Sequence, residues 1–195
     1  MSYYLEVWLR GFAKDHLRSI SVRDTDRYHP HITLVRPFYA AASDEAKVQK
    51  LIIDFCAGKK PIPFSLEGSG VFDNKFHHVP VTEATELLQF NDGLESVLRD
   101  EVRFAPKFND EKVLHATIAT DKPIPPCIKV DQYMLRLTGI KDKRIWFSYD
   151  FVTQGVLNRE QSLDKPQWLR TVNMFTNQTG LMPTRQGYAR IGEPQ

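Results

Sequence analysis

Two short segments of this 195-residue chain each place a histidine and a threonine two positions apart in an apolar stretch. The first reads His-Ile-Thr-Leu over residues 31–34, and the second reads His-Ala-Thr-Ile over residues 115–118. Both stretches have strand character, and alternate residues of a strand project from the same face. Each segment therefore predicts one imidazole and one hydroxyl group on a common face.

Two imidazoles and two hydroxyl groups are suited to hydrolysis of a phosphodiester. Displacement at phosphorus needs a base for the attacking oxygen, an acid for the leaving oxygen, and hydrogen-bond donors for the non-bridging oxygens. Histidine, whose ordinary pKa is about 6.5, can be either base or acid at neutral pH. We therefore predict that His31 and His115 are the acid–base pair, and that Thr33 and Thr117 donate hydrogen bonds to the phosphate.

The two segments resemble the paired His-x-Thr/Ser motifs of the 2H phosphoesterases, which include 2′-5′ RNA ligases and cyclic phosphodiesterases. The resemblance covers residues 1 to about 157, including the run 63–72, which is similar to a hairpin between the motifs of such proteins. It implies a bilobal α+β fold, with two mostly antiparallel sheets flanking a central cleft, helices outside, and one motif from each lobe.

The same resemblance implies an activity. It is hydrolysis of a 2′,3′-cyclic phosphate, on an RNA end or a small nucleotide, to a 2′-phosphate. It also favours His115 as the group that activates water and His31 as the group that protonates the departing 3′-oxygen. Action on 2′-5′ linkages, and ligation in the reverse direction, stay open. The alternative is a non-catalytic nucleotide-binding module, against which the two intact histidines argue.

Three further side chains are candidate substrate contacts. Arg36 could offset phosphate charge, while Phe76 and Trp146 could stack on a base. Aromatic residues in apolar strands more often pack in the core, so packing is the alternative role of Trp146.

The other histidines near the motifs raise the question of a metal site. His29, His77 and His78 could join His31 as zinc ligands, but their spacing fits no known ligand pattern. No cluster of Asp, Glu or Cys accompanies the motifs, so we predict no metal and no other cofactor. If His77 and His78 lie in a strand, they face opposite sides, and only one of them can reach the site.

The overall composition is that of a globular domain. Apolar residues make up 42% of the chain and charged residues 26%, and the formal net charge is +2, too small to favour long nucleic acids. The two cysteines match no metal or redox spacing, which indicates reduced thiols. No signal peptide or membrane-spanning stretch is evident, so we predict a cytoplasmic monomer with no membrane or obligate protein partner.

Hydrophobic periodicity and turn residues predict the elements that position the motifs. We expect helices over 43–57 and 82–99, and a third that begins at Asp164 with Pro166 in its first turn. The predicted strands cover 3–9, 31–36, parts of 62–81, 112–119, 129–139 and 144–156, with a hairpin at 141–143. Residues 1–180 would form one bilobal catalytic domain, and residues 181–195 a surface-hugging or disordered polar tail.

Overall fold

The computed structural model describes residues 1–21, 29–73, 76–106, 112–118, 120 and 123–192. Its strands are β1 (Ser2–Trp8), β2 (His31–Tyr39), β3 (Ile62–Gly68), β4 (Gly70–Phe72), β5 (Phe76–Thr82), β6 (Arg103–Phe104), β7 (His115–Thr117), β8 (Cys127–Met134), β9 (Arg136–Lys141), β10 (Arg144–Asp150), β11 (Gly155–Leu157), β12 (Leu181–Thr184) and β13 (Gly187–Arg190). Its α-helices are α1 (Gly11–Ile20), α2 (Glu45–Cys56), α3 (Thr85–Leu98), α4 (Arg159–Leu163) and α5 (Lys165–Thr179). None of the helices in these ranges is long and apolar enough to cross a bilayer.

Strands β1 to β11 form one curled antiparallel sheet. Its order is β11-β10-β9-β1-β2-β7-β5-β3-β8, with β4 paired to β5 and β6 paired to β2. The predicted α+β class with mostly antiparallel strands is confirmed. The two expected sheets are continuous, because the strands that carry the two motifs, β2 and β7, pair with each other in the middle of the order.

One face of this sheet packs into the main core. Ile32, Val79 and Ala116 come from the three neighbouring strands β2, β5 and β7, and each is completely buried. Helices α2 and α3 contribute buried residues to the same core, and the Asn91 side chain of α3 donates a hydrogen bond to the Leu34 carbonyl. The helices therefore fix the position of the motif strands from the core side.

The prediction of one continuous strand over 129–139 is wrong. The chain turns at Leu135, whose N–H donates to the Tyr133 carbonyl at 2.9 Å, and this turn divides the segment into β8 and β9. Strand β8 pairs with β3, whereas β9 pairs with β1 and β10. The following hairpin is confirmed, since Asp142 and Lys143 both have positive φ, at 45° and 67°.

The C-terminal region contains a long helix followed by a short hairpin. Helix α5 begins as expected, with an Asp164 cap, and ends at a left-handed Gly180. The next residues form the hairpin β12–β13, which is ordered and so fits the surface-hugging rather than the disordered alternative. Its Tyr188 packs edge-to-face on Phe175 and Tyr133. Gly187 lies so close to β8 that an added Cβ would approach the Asp131 carbonyl oxygen to 2.2 Å. The hairpin thus packs on β8.

Candidate active site

The pairing of β2 with β7 brings the two motifs into one array. Ile32 pairs with Ala116 in antiparallel register. This register sets His31 opposite Thr117, and Thr33 opposite His115. Because Ile32 and Ala116 face the core, all four motif side chains project from the other face of the sheet. The structure thus brings the four predicted catalytic residues together, and their catalytic roles stay predictions.

Both motif histidines are oriented by the same backbone contact. Nδ1 of His31 lies 2.9 Å from the His29 carbonyl oxygen, and Nδ1 of His115 lies 2.8 Å from the Val113 carbonyl oxygen. A carbonyl oxygen only accepts hydrogen bonds, so each Nδ1 carries the hydrogen. Nε2 is therefore the nitrogen of each ring that can exchange a proton with a substrate.

The surroundings of His31 are polar and come from β1. Its Nε2 lies 3.4 Å from Oε1 of Glu6, a residue that is only 4% exposed. The other carboxylate oxygen of Glu6 accepts a hydrogen bond of 2.6 Å from the Trp8 indole N–H. Burial raises the pKa of Glu6, and the facing His31 imidazole opposes that rise. His31 thus shares its environment with a desolvated carboxylate.

The surroundings of His115 are aromatic and come from β4 and β5. Strand β5 sets His78 opposite Thr117, on the motif face. The Phe72 ring stacks on His78 at a centroid distance of 3.9 Å, and the two rings approach His115 edge-on at 4.9 and 5.1 Å. Burial lowers the pKa of His115, an effect that the hydrogen bond to Val113 opposes. The neutral form of His115 is therefore favoured.

The candidate substrate contacts divide into two groups. Phe76 is 46% exposed and precedes His78 by two residues in β5, so it lies on the motif face. Arg36 instead forms a 3.8 Å ion pair with Glu95 of α3 and lies 5.0 Å over the Phe104 ring. Trp146 packs against Tyr3 at a centroid distance of 4.9 Å, next to the main core. The structure places only Phe76 beside the motifs.

The histidines of the zinc alternative are not brought together. His29 packs against the Trp8 ring at a centroid distance of 4.0 Å, and burial, with nearby positive charges, lowers its pKa to about 3. His77 is buried and adjoins His78 in β5, so it faces the opposite side of the strand. Across the described ranges, no three His, Cys, Asp or Glu side chains converge as metal ligands would.

Sequence reasoning did not select Glu6 or Phe72 as part of the site, and it treated His78 as a possible zinc ligand. A usable signal exists for Glu6, because strand alternation puts it on the face opposite Leu5 and Val7. An acidic residue inside an otherwise apolar first strand needs a partner if it is buried. For Phe72 and His78, the sequence gives a weaker indication. Their place in the site depends on the pairing of β4 with β5 and of β5 with β7.

Comparisons with known proteins give one family match and several matches of fold. A family model described as the 2′-5′ RNA ligase superfamily matches residues 6–140, a range that contains both motifs and Glu6. The search of curated proteins found no match. Two similar solved structures are TT0787 of Thermus thermophilus and E. coli LigT complexed with NADP⁺, each 13% identical.

The two structural neighbours extend over most of the chain. TT0787 has a TM-score of 0.61 and covers 77% of this chain, with 98% of its own length matched. LigT has a TM-score of 0.50 and covers 80% of this chain, with 92% of its own length matched. At this low identity, the likeness shows a shared fold.

Proposed function

Since this chain belongs to the 2′-5′ RNA ligase superfamily, we propose that it hydrolyses 2′,3′-cyclic phosphates of RNA ends or small nucleotides to 2′-phosphates. The observation that carries the proposal is the array of His31, Thr33, His115 and Thr117 created by the β2–β7 pairing. The array offers two proton-exchanging nitrogens and two hydroxyl groups on one face of the sheet. These are the groups that an in-line displacement at phosphorus requires.

The surroundings of the two histidines support a different proposed role for each. His115, whose burial favours the neutral imidazole, takes a proton from water at Nε2. The water oxygen then bonds to phosphorus as the bond from phosphorus to the 3′-oxygen breaks. His31, beside the Glu6 carboxylate, gives a proton from Nε2 to the 3′-oxygen. The product carries its phosphate on the 2′-oxygen and a free 3′-hydroxyl group.

The threonines and the substrate itself supply the remaining requirements. The hydroxyl groups of Thr33 and Thr117 donate hydrogen bonds to the non-bridging oxygens, where negative charge accumulates in the transition state. Strain in the five-membered cyclic phosphate lowers the barrier further. The proposed reaction therefore assigns acid, base and charge stabilisation to side chains, and proceeds without a metal ion.

The nucleoside would lie toward β5. Phe76 is an exposed aromatic residue on the motif face, and we propose that it stacks on the base. The similar fold of LigT was solved in complex with NADP⁺, a ligand made of nucleotides, which supports a nucleotide as the substrate here.

The test is turnover with product identification. The purified protein is incubated with each of the four 2′,3′-cyclic mononucleotides, with an RNA that ends in a cyclic phosphate, and with 2′-5′-linked dinucleotides. Phosphorus NMR distinguishes a 2′-phosphate from a 3′-phosphate. We expect a cyclic phosphate to be converted to the 2′-phosphate. Binding of these compounds without conversion would contradict the proposal and favour the non-catalytic binding module.

A further inference from the structure

The Glu6 carboxylate is buried on the motif face, and both of its oxygens have partners. One oxygen accepts the 2.6 Å hydrogen bond from the Trp8 indole, and the other faces Nε2 of His31 at 3.4 Å. The Tyr4 hydroxyl also interacts with this carboxylate. Burying a carboxylate is costly unless charged or hydrogen-bonding groups compensate for the lost water. These three side chains provide that compensation, so the position of Glu6 is well defined.

The distance between Glu6 and His31 is informative. At 3.4 Å, the pair is in ion-pair range but is longer than an ordinary N–H···O hydrogen bond of about 2.7–3.2 Å. The carboxylate can therefore stabilise a positive charge on the imidazole without fixing the direction of the Nε2–H bond. The His31 side chain is also 36% exposed, which leaves Nε2 accessible to a substrate oxygen.

Other titratable groups around the pair keep one charge state near neutral pH. His29 has its pKa lowered to about 3, mainly by burial, so it is neutral. Tyr4 has its pKa raised to about 12, again mainly by burial, so it is also neutral. From β7 and β5, His115 and His78 face the site, and burial lowers the pKa of each. Among the described residues, Glu6 is thus the acidic side chain in ion-pair contact with His31.

We propose that Glu6 is a positioning residue that retains a proton on Nε2 of His31, so that His31 enters the reaction as the acid. The proposal deepens the proposed function and rests on it for the chemical step. His115 has no ion pair to a carboxylate within the described residues, and this difference separates the two histidines. Glu6 acts through His31 and does not touch the substrate.

The kinetic test compares Glu6→Gln with a matched control, Glu45→Gln. Glu45 of α2 also bonds a tyrosine and a cation, since its Oε2 accepts from Tyr3 at 3.3 Å and from Lys141 at 2.6 Å. Removal of the Glu6 charge should move the alkaline limb of the pH profile of kcat/KM by about one pH unit toward acid. The rate on the alkaline side should then fall about tenfold, with little change on the acidic side.

The control variant should retain the wild-type profile. A cyclic phosphate with a good leaving group needs no acid, so its hydrolysis should be insensitive to Glu6→Gln. An equal loss at every pH and with both substrates would show a merely structural role and overturn the proposal.

A second measurement does not depend on turnover or on a variant that folds. Nitrogen NMR of the histidine side chains reports directly whether Nε2 carries a hydrogen. As the pH of the wild-type protein rises, His115 should lose its Nε2 hydrogen first, while His31 retains both ring hydrogens. The opposite order would overturn the proposal even if the protein hydrolyses cyclic phosphates. If no phosphodiester is hydrolysed but this order is observed, the proposed function fails and the Glu6–His31 pairing stands.

Discussion

The two halves of the site contain the same motif in different surroundings. His31 and His115 are both held through Nδ1 by the carbonyl of the residue two positions earlier. Next to His31, however, lies the buried Glu6 carboxylate, whereas the rings of Phe72 and His78 surround His115. A carboxylate favours a protonated imidazole, and burial among aromatic rings favours a neutral one. The repeated motif thus supplies two similar groups, and the neighbouring strands give them different surroundings, from which we propose different roles.

The largest expected effect is loss of either histidine. Changing His31 or His115 to Ala should each lower turnover by about 10²–10⁴-fold, because each change removes an acid or a base. The double variant should lose little more than the worse single variant, since the pair acts as one unit. Steady-state kinetics with a cyclic mononucleotide measures all three. His16→Ala, in α1, is the matched control and should retain wild-type turnover. Near wild-type turnover of either motif variant would refute the two-histidine assignment.

The second-largest expected effect is loss of the hydroxyl group of Thr33 or Thr117. Thr33→Val and Thr117→Val keep the branched shape of the side chain but remove the hydroxyl group. Each should lower kcat/KM by about 10- to 100-fold, the loss expected for a hydrogen bond to a charged oxygen. Ser at either position keeps the hydroxyl group and should restore most of the activity. A Val variant as active as its Ser counterpart would show that the hydroxyl group makes no contribution to the reaction.

The pH dependence tests the difference between the two halves directly. A base must be neutral and an acid protonated, so the rate should follow a bell-shaped profile. Burial lowers the pKa of His115 from its ordinary value of 6.5, and His115 gains its proton as the pH falls. The acidic limb should therefore lie below pH 6.5, and loss of the proton from His31 should produce the alkaline limb. An acidic limb well above that value would contradict the assignment of His115 as the base.

The smallest effect should come from metal removal. Turnover after exhaustive treatment with a chelator should equal turnover of the untreated protein, because side chains supply the acid, the base and the charge stabilisation. The comparison uses one protein preparation, with zinc or manganese added back at the end. A loss of activity that either metal restores would instead support a metal site near the motifs.

The sequence alone allowed the motif face to be predicted, because strand alternation is a local property. His31 and Thr33 share a face for the same reason that Ile32 is buried between them. The cap at Asp164 and the hairpin at 141–143 were predictable on similar local grounds. What could not be predicted is the pairing of β1 with β2 and of β5 with β7, which joins residues far apart in the chain. Glu6 and Phe72 enter the site only through these pairings.

The positions of Arg36 and Trp146 also depend on contacts between elements that are far apart in the chain. Strand alternation puts Arg36 on the face opposite His31 and Thr33, and the β1–β2 register also shifts between Thr33 and Val35. Arg36 pairs instead with Glu95 of α3. Trp146 lies in β10, which is separated from the motif strands by β9 and β1, and it packs against Tyr3. Neither proximity in sequence nor aromatic character identifies the side chains that lie near the motifs, because the order of strands in the sheet determines this.

The most direct test of the different roles of the two histidines uses a substrate with a much better leaving group than a ribose oxygen. Such a leaving group departs without protonation, so the substrate needs a base but little help from an acid. Turnover of this substrate and of a cyclic mononucleotide is measured for His31→Ala and His115→Ala. We expect the activated substrate to restore turnover in His31→Ala and to leave His115→Ala impaired. Restoration in His115→Ala instead, or in neither variant, would contradict the assignment of His31 as the acid and His115 as the base.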